Sequence, residues 1–182
     1  ERDGGTNSRV FSTILTWMQE KTKPVFVVAT ANDISQLPPE FLRKGRFDEI
    51  FFVDLPTKEE RKEILRIHLT KNNQTGIHEL DCLADATRLF NGAEIEEAVK
   101  ESMFMAYVDN PANPVVNVRH LETACAQIIP LAKTMSEKIR GLRAWADDRA
   151  RRASIIANQE LLPENQINIK KTKREKDEDT FG

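Results

Sequence analysis

The chain has 182 residues, of which 40% are hydrophobic and 31% charged, with a formal net charge of −2. At ~150 residues per domain that is one globular domain and an appendage, large enough to bury a core. No apolar run approaches the ~18 residues that span a bilayer, no signal peptide opens the chain, and the charge makes no global case for nucleic acid. The chain starts Glu1-Arg2-Asp3 without Met, and its first element arrives in mid-pattern, so a piece of a longer protein is expected. Asp3-Gly4-Gly5-Thr6-Asn7 reads as a loop. Val10, Phe11, Ile14, Leu15, Trp17 and Met18 then recur at helical spacing, predicting a helix from Ser8 to Glu20. Pro24 opens Val25-Phe26-Val27-Val28-Ala29-Thr30-Ala31, apolar on both faces as a central parallel strand is. Pro38-Pro39 starts one helical turn, Arg43-Lys44-Gly45-Arg46 is a polar loop, and Glu49 to Val53 reads as a second strand.

From there the pattern is helical. Thr57-Lys58-Glu59-Glu60 is a capping box opening a helix to about Lys71. Asp81 to Leu89 is a shorter helix, Asn91-Gly92-Ala93-Glu94 starts another through Tyr107, and Val118 to Ile129 ends at Pro130. A last helix is predicted from about Lys133 to Ala153, with Leu131, Met135, Ile139, Leu142, Trp145, Ala146, Ala150 and Ala153 on an apolar stripe that narrows to alanines, and seven Lys/Arg against three acids on the opposite face. Beyond Pro163 the chain is polar and turns from basic to acidic, a composition that cannot bury enough to order itself. From Leu131 onward 12 Lys/Arg face 9 Asp/Glu, a mild excess. Cys82 and Cys125 both fall in helical apolar patterns and read as small core residues, which favours a reducing compartment. Strands followed by a cluster of helices make an α/β unit with a helical lid.

Two places carry chemistry. Asn32 closes the buried apolar strand, and ligands of open α/β sheets bind at the carboxyl ends of strands. Its amide can hold an attacking water against a terminal phosphate, or simply satisfy backbone in a turn. Arg43 and Arg46 stand three residues apart on a loop flanked by Phe41 and Phe47. Guanidinium forks of this kind stabilise charge in phosphoryl transfer; a solvated loop with local Arg46–Asp48 pairing is the other reading.

The segment Phe26-Val27-Val28-Ala29-Thr30-Ala31-Asn32, followed after a spacer by Leu37-Pro38-Pro39-Glu40-Phe41-Leu42-Arg43-Lys44-Gly45-Arg46-Phe47-Asp48, resembles the second region of homology of the AAA ATPases. Leu55-Pro56, Arg61 to His68 and Phe90-Asn91-Gly92-Ala93-Glu94 follow in the family's order, so the resemblance covers about residues 7–129. The whole chain, through Trp17-Met18-Gln19-Glu20-Lys21 and Ala144-Trp145-Ala146, is most similar to AAA proteins encoded in algal plastid genomes and in cyanobacteria. The resemblance implies the C-terminal portion of a P-loop AAA+ parallel-sheet sandwich over 1–56, a helical lid over 57–130, an extra amphipathic helix over 131–156, and a disordered tail over 157–182.

By resemblance, Asn32 falls at the sensor-1 position, and Arg43 and Arg46 at the arginine-finger positions that reach the γ-phosphate held by a neighbouring subunit. Ile64 and His68 fall where the family contacts adenine and ribose, and Gly92 and Ala93 at the lid-helix start beside the nucleotide. A His one turn beyond an Ile is otherwise a surface or half-buried residue, and Gly92-Ala93 otherwise a small-residue helix start. Residues 3–9 lie about where the family places its second pore loop. The implied cofactors are ATP and Mg²⁺; the implied partners are further copies of the chain in a ring, a hexamer by analogy, and a protein substrate, in the cytoplasm or a plastid stroma. Neither membrane nor nucleic acid is expected as a partner, the basic helix face notwithstanding.

Departures from the family matter as much. The G-x-x-x-x-G-K-[ST] phosphate loop and the apolar run ending in Asp-Glu are absent. In the family both precede the segment seen here, so magnesium ligands are expected upstream and this stretch alone is expected to be inactive. Lys44 stands where the family usually has Pro. The competing function is a non-hydrolysing AAA-like module for assembly or interaction.

Overall fold

The computed structural model describes residues 4–43, 45–154 and Leu162, with side chains from Arg9 onward. Expectations for Lys44, and for the tail apart from Leu162, lie outside the described residues. In chain order the elements are α1 (Gly4–Glu20), β1 (Phe51–Phe52), α2 (Lys58–Lys71), α3 (Leu80–Ala86), α4 (Gly92–Asp109), α5 (Val118–Gln127), α6 (Leu131–Thr134), α7 (Ser136–Arg149) and β2 (Arg151–Arg152). Two compact units divide them, Glu1–Phe51 with Arg149–Arg151, and Phe52–Asp148 with Arg152–Gly182. Among the described residues no helix is long and apolar enough to cross a membrane.

In the first unit α1 starts at Gly4, so the expected loop over residues 4–7 is helical backbone. Nothing between the glycines and the apolar stripe interrupts the helical ladder, since no Pro intervenes. Phe11 on α1 meets Phe41 edge-on at 5.2 Å, and Phe41 stacks on Phe47 at 6.3 Å. Phe41, the buried member, lies within the short 3₁₀ turn Pro39–Leu42 that Pro38-Pro39 predicts. Residues 25–31 do not form the predicted buried strand: Phe26 is 93% and Val28 76% exposed. A parallel strand exists only through bonds to its neighbours, and among the described residues none pairs with this run. The only strands described are β1 and β2, which are neighbours in one sheet. Arg151 N–H donates to Ile50 O at 2.8 Å and Ala153 N–H to Phe52 O at 2.9 Å, advancing the same way along both chains, a parallel pairing.

In the second unit three helices start on reciprocal caps. Thr57 Oγ1 accepts from Glu60 N–H while Glu60 Oε2 accepts from Thr57 N–H at 2.8 Å. Asn91 and Glu94 repeat the pattern at 2.9 and 2.7 Å. At α5 the partner of Asn117 is His120, whose Nδ1 accepts from Asn117 N–H at 3.3 Å and whose Nε2 lies 2.9 Å from Asp109 Oδ2. The core gathers Leu65 and Leu69 of α2, Leu83 of α3, Ile95 and Val99 of α4, and Leu121 and Ala124 of α5, each fully buried large aliphatic contributing ~1.5–3 kcal/mol. Arg61 is buried among them at 1% exposure. Its Nε donates to Ala84 O at 3.0 Å and its Nη1 to Pro56 O at 2.9 Å, fastening the start of α2 to α3.

The single helix predicted from Lys133 to Ala153 is instead α6, a break at Met135, α7, and β2. Its buried positions are Ala132, Ser136 and Ala146, whereas Leu131 and Met135 of the predicted stripe are exposed. Ion pairs complete the seating: Arg143 Nε and Nη2 donate to Asp54 Oδ1 at 3.0 and 2.9 Å, and Arg152 bonds Asp147 at 2.7 Å. Cys82 is exposed, against expectation, because it lies on the solvent side of α3 and donates to Glu79 O; Cys125 is buried. Burial first, then the charge of Glu122, pushes the Cys125 thiol up to about 11.

Arg61→Met should lower the stability of the chain to urea by on the order of 3 kcal/mol, because two carbonyls lose a charged donor. Glu60 tests the first cap. Partial burial acts to raise its pKa, but bonds from the Thr57 backbone, Ser154 and the Thr57 hydroxyl outweigh it and hold the carboxyl below its ordinary 4.5. With the folded value depressed, its stabilisation is present above pH 4.5 and is lost as pH falls through the lower folded value. Glu60→Gln should therefore destabilise at neutral pH and flatten that part of the acid-unfolding profile.

Candidate functional site

Asn32, Arg43 and Arg46 belong to the first unit. Asn32 is exposed, and the turn chemistry beside it is done by its neighbour. Asp33 caps the 3₁₀ turn Ile34–Gln36, its Oδ1 accepting from Ser35 N at 3.0 Å and Ser35 Oγ at 2.6 Å. The Asn32 amide is thus not spent on the turn.

Arg43 and Arg46 are brought together on one turn, closed by Arg46 N–H to Arg43 O at 3.3 Å. Gly45 sits at φ +91°, left-handed space that a side chain would strain. The loop is bracketed by the stacked Phe41 and Phe47, a contact worth about 1 kcal/mol that fixes both its ends. The two guanidiniums are not equivalent. With its amide oxygen turned toward the loop, Gln19 of α1 accepts from Arg46 Nη1 at 2.8 Å and from Nη2 at 2.5 Å. Arg43 is exposed and carries no such tether among the described residues. Gln19 was not a sequence candidate; its place in the last turn of an amphipathic helix gives no chemical signal.

Ile64, His68, Gly92 and Ala93 belong to the second unit. Ile64 and His68 are one turn apart on α2, and Gly92-Ala93 are the first residues of α4. A Cβ built on Gly92 would lie 4.0 Å from Ile64 Cδ1, so these two candidates meet. Ala93 is exposed and Gly92 half-buried. His68 is half-buried, and its Nδ1 is buried without a hydrogen-bond partner among the described residues. A buried ring nitrogen left unmet costs about 1–3 kcal/mol, so it suits a ligand that can meet it. Nearby, the Lys100 ammonium bonded at 2.8 Å holds the Glu96 carboxyl below its usual range, with His68 and Lys71 adding to the effect. The residues present therefore fit the nucleoside part of ATP: an aliphatic surface, a backbone approach free of Cβ, and an unmet imidazole nitrogen. Among the described residues no group of three or more His, Cys, Asp or Glu could hold a metal ion.

Comparison with known proteins bears on the family of the chain. Residues 1–55 match the family described as "ATPase family associated with various cellular activities (AAA)". The chain is 49% identical over 159 residues to the uncharacterized AAA domain-containing protein ycf46 of Pyropia yezoensis, covering 84% of this chain and 31% of that protein. It is 39% identical over 104 residues to the proteasome-activating nucleotidase of Sulfurisphaera tokodaii, covering 57% of this chain and 26% of that one. Against four ycf46 proteins the chain spans only 28–31% of their length. The crystal structure of the FIGL-1 AAA domain in complex with ADP superposes with a TM-score of 0.52 at 17% identity, over 64% of this chain and 42% of that one, which shows the fold. Segment order, fold and sequence kinship together make this chain a stretch of an AAA-family protein.

Proposed function

We propose that this chain supplies the lid side of an adenine-nucleotide site and the arginines that serve a neighbouring subunit's nucleotide, within a ring-forming AAA ATPase that remodels a protein substrate. The observation that carries the reading is the meeting of Ile64 with Gly92 beside the unmet Nδ1 of His68. Ile64 offers an aliphatic face for the base, His68 a nitrogen for a nucleoside polar group, and the Cβ-free start of α4 lets backbone come close. The solved FIGL-1 domain was crystallised with ADP, and the nucleotidase similarity points the same way. ATP supplies the phosphoryl group and Mg²⁺ the charge neutralisation when bound, on residues that precede this stretch in the family.

The arginine turn divides the work. Arg43, exposed and untethered, is free to reach a γ-phosphate across a subunit boundary; Arg46, held by Gln19, keeps a second positive charge at a fixed place. Asn32 is assigned the orientation of the attacking water. A guanidinium supplied in trans is worth ~10³–10⁵ in rate where it has been measured in GTPases, so the oligomer is the catalytic unit.

Three variants of the full-length protein test this. Arg43→Ala should lower ATP turnover by ~10³-fold with ATP binding retained; unchanged turnover at equal oligomer concentration removes Arg43 from the trans role. His68→Ala should weaken ATP binding about tenfold. Gly92→Ala separates site from scaffold, because its new Cβ makes only ordinary contact with Ile64. The fold should persist to the same melting point while nucleotide affinity drops, and equal affinity would refute the close approach at α4.

A further inference from the structure

On the second unit, with neither Ile64 nor His68 in its lining, a cleft of about 420 Å³ opens between the α3–α4 loop and the α5–α6 loop. Leu89, Phe90, Ile128 and Pro130 give it an apolar lining, and Arg88 and Lys133 give it two positive charges. Both cations are exposed, and neither pairs with an acid among the described residues. Most other lid cations differ in this respect: Lys58 pairs with Asp85, Lys62 with Asp81 and Lys100 with Glu96. An apolar lining with two unneutralised cations selects an occupant that is both acidic and aromatic.

The chain carries one. Residues 177–181 read Asp-Glu-Asp-Thr-Phe. Leu162 shows that the approach is short, since it is 8% exposed and packs with Leu89, which also lines the cleft, and with Ala132, next to Lys133. Fourteen residues separate Leu162 from Asp177, a length of chain that reaches at most ~50 Å. Such a tether holds the segment at millimolar effective concentration. We propose that the cleft is a docking site for residues 177–181 of this same chain, Phe181 entering the apolar lining and Asp177, Glu178 and Asp179 facing Arg88 and Lys133. The consequence is local to the lid. Leu89, at φ +67° a strained position for a bulky residue, stands two residues before Asn91, the cap of α4. Docking would brace that strained turn.

Cys125 lines the cleft and reports on it. In the full chain carrying Cys82→Ser, the rate at which a small neutral thiol reagent labels Cys125 is measured at low salt. Phe181→Ala, and separately the triple change Asp177→Asn, Glu178→Gln and Asp179→Asn, should each raise that rate ~tenfold, as millimolar tethering over a weak site allows. The charge reversal Arg88→Glu with Lys133→Glu should raise it as well, and adding Asp177→Lys with Asp179→Lys should restore protection. General loosening of the core cannot produce that restoration, so the rescue holds even where the reversal lowers the melting point. Unchanged labelling in both tail variants overturns the proposal. Protection that grows with protein concentration also overturns it and assigns the cleft to a second copy; a reversal that no tail change rescues overturns the pairing of charges.

Discussion

The second unit is organised around a buried cation. Arg61 lies one turn into α2 at 1% exposure, where a guanidinium is tolerated only with its donors engaged. Those donors reach backwards to Pro56 O and across to Ala84 O, so one side chain joins the entry to the lid, its first long helix and its short second helix. A hydrophobic residue in the same place could fill the volume but would hold neither carbonyl. The direction of α2 is thereby set, and with it the row Ile64, Leu65, His68 and Leu69. Leu65 and Leu69 take the core side of that row, which leaves Ile64 and His68 half-buried at its edge. The candidate residues are where they are because the core residues between them are where they must be.

The start of α4 is constrained from the other side. Asn91 and Glu94 close the helix on itself, and the second oxygen of Glu94 accepts from Leu131 N–H at 2.6 Å. One carboxylate thus caps α4 and fixes the start of α6. Gly92 comes next in the chain, already in position opposite Ile64, and needs no side chain of its own to stay there. The cap supplies the rigidity, and the glycine supplies the room.

How much of this could be read from residues alone depended on whether the cause was local. Thr57 with Glu60 and Asn91 with Glu94 are local causes, and both helix starts follow from their spacing. The cap of α5 is equally local but hidden, because His120 stands where the pattern expects Glu or Gln; its Nδ1 does the same work only when Asp109 engages Nε2. The run 25–31 has every mark of a buried strand, yet strand formation depends on neighbours that the run itself cannot provide. The last helix departs from its sequence pattern for a different reason. Its seat is made by Ala146 at the alanine end of the apolar stripe, but also by Ala132, Ser136 and the Arg143–Asp54 pair, small or charged groups that the stripe does not single out. Arg61 belongs with these, since one of the carbonyls that takes its donors, that of Ala84, lies 23 residues away in sequence. Among the site candidates, sequence order suggested Ile64, His68 and Gly92; the approach of Gly92 to Ile64 and the unmet His68 nitrogen emerge only from the packing of α2 with α4.

The arginine turn follows the same logic on a smaller scale. On the proposed reading, the arginine that reaches another molecule must not itself be the anchor of the loop. Here the anchor is apolar: Phe41 and Phe47 stack across the turn, and Phe11 seats Phe41 on α1. Gln19 lies two turns beyond Phe11 on the same helix and reaches Arg46, so α1 supports the turn twice, once through a ring and once through an amide. Arg43 is the residue this support leaves over. Its freedom is a product of the restraint on its neighbours, which is why the exposed arginine, rather than the tethered one, is the better candidate for reaching out of the chain.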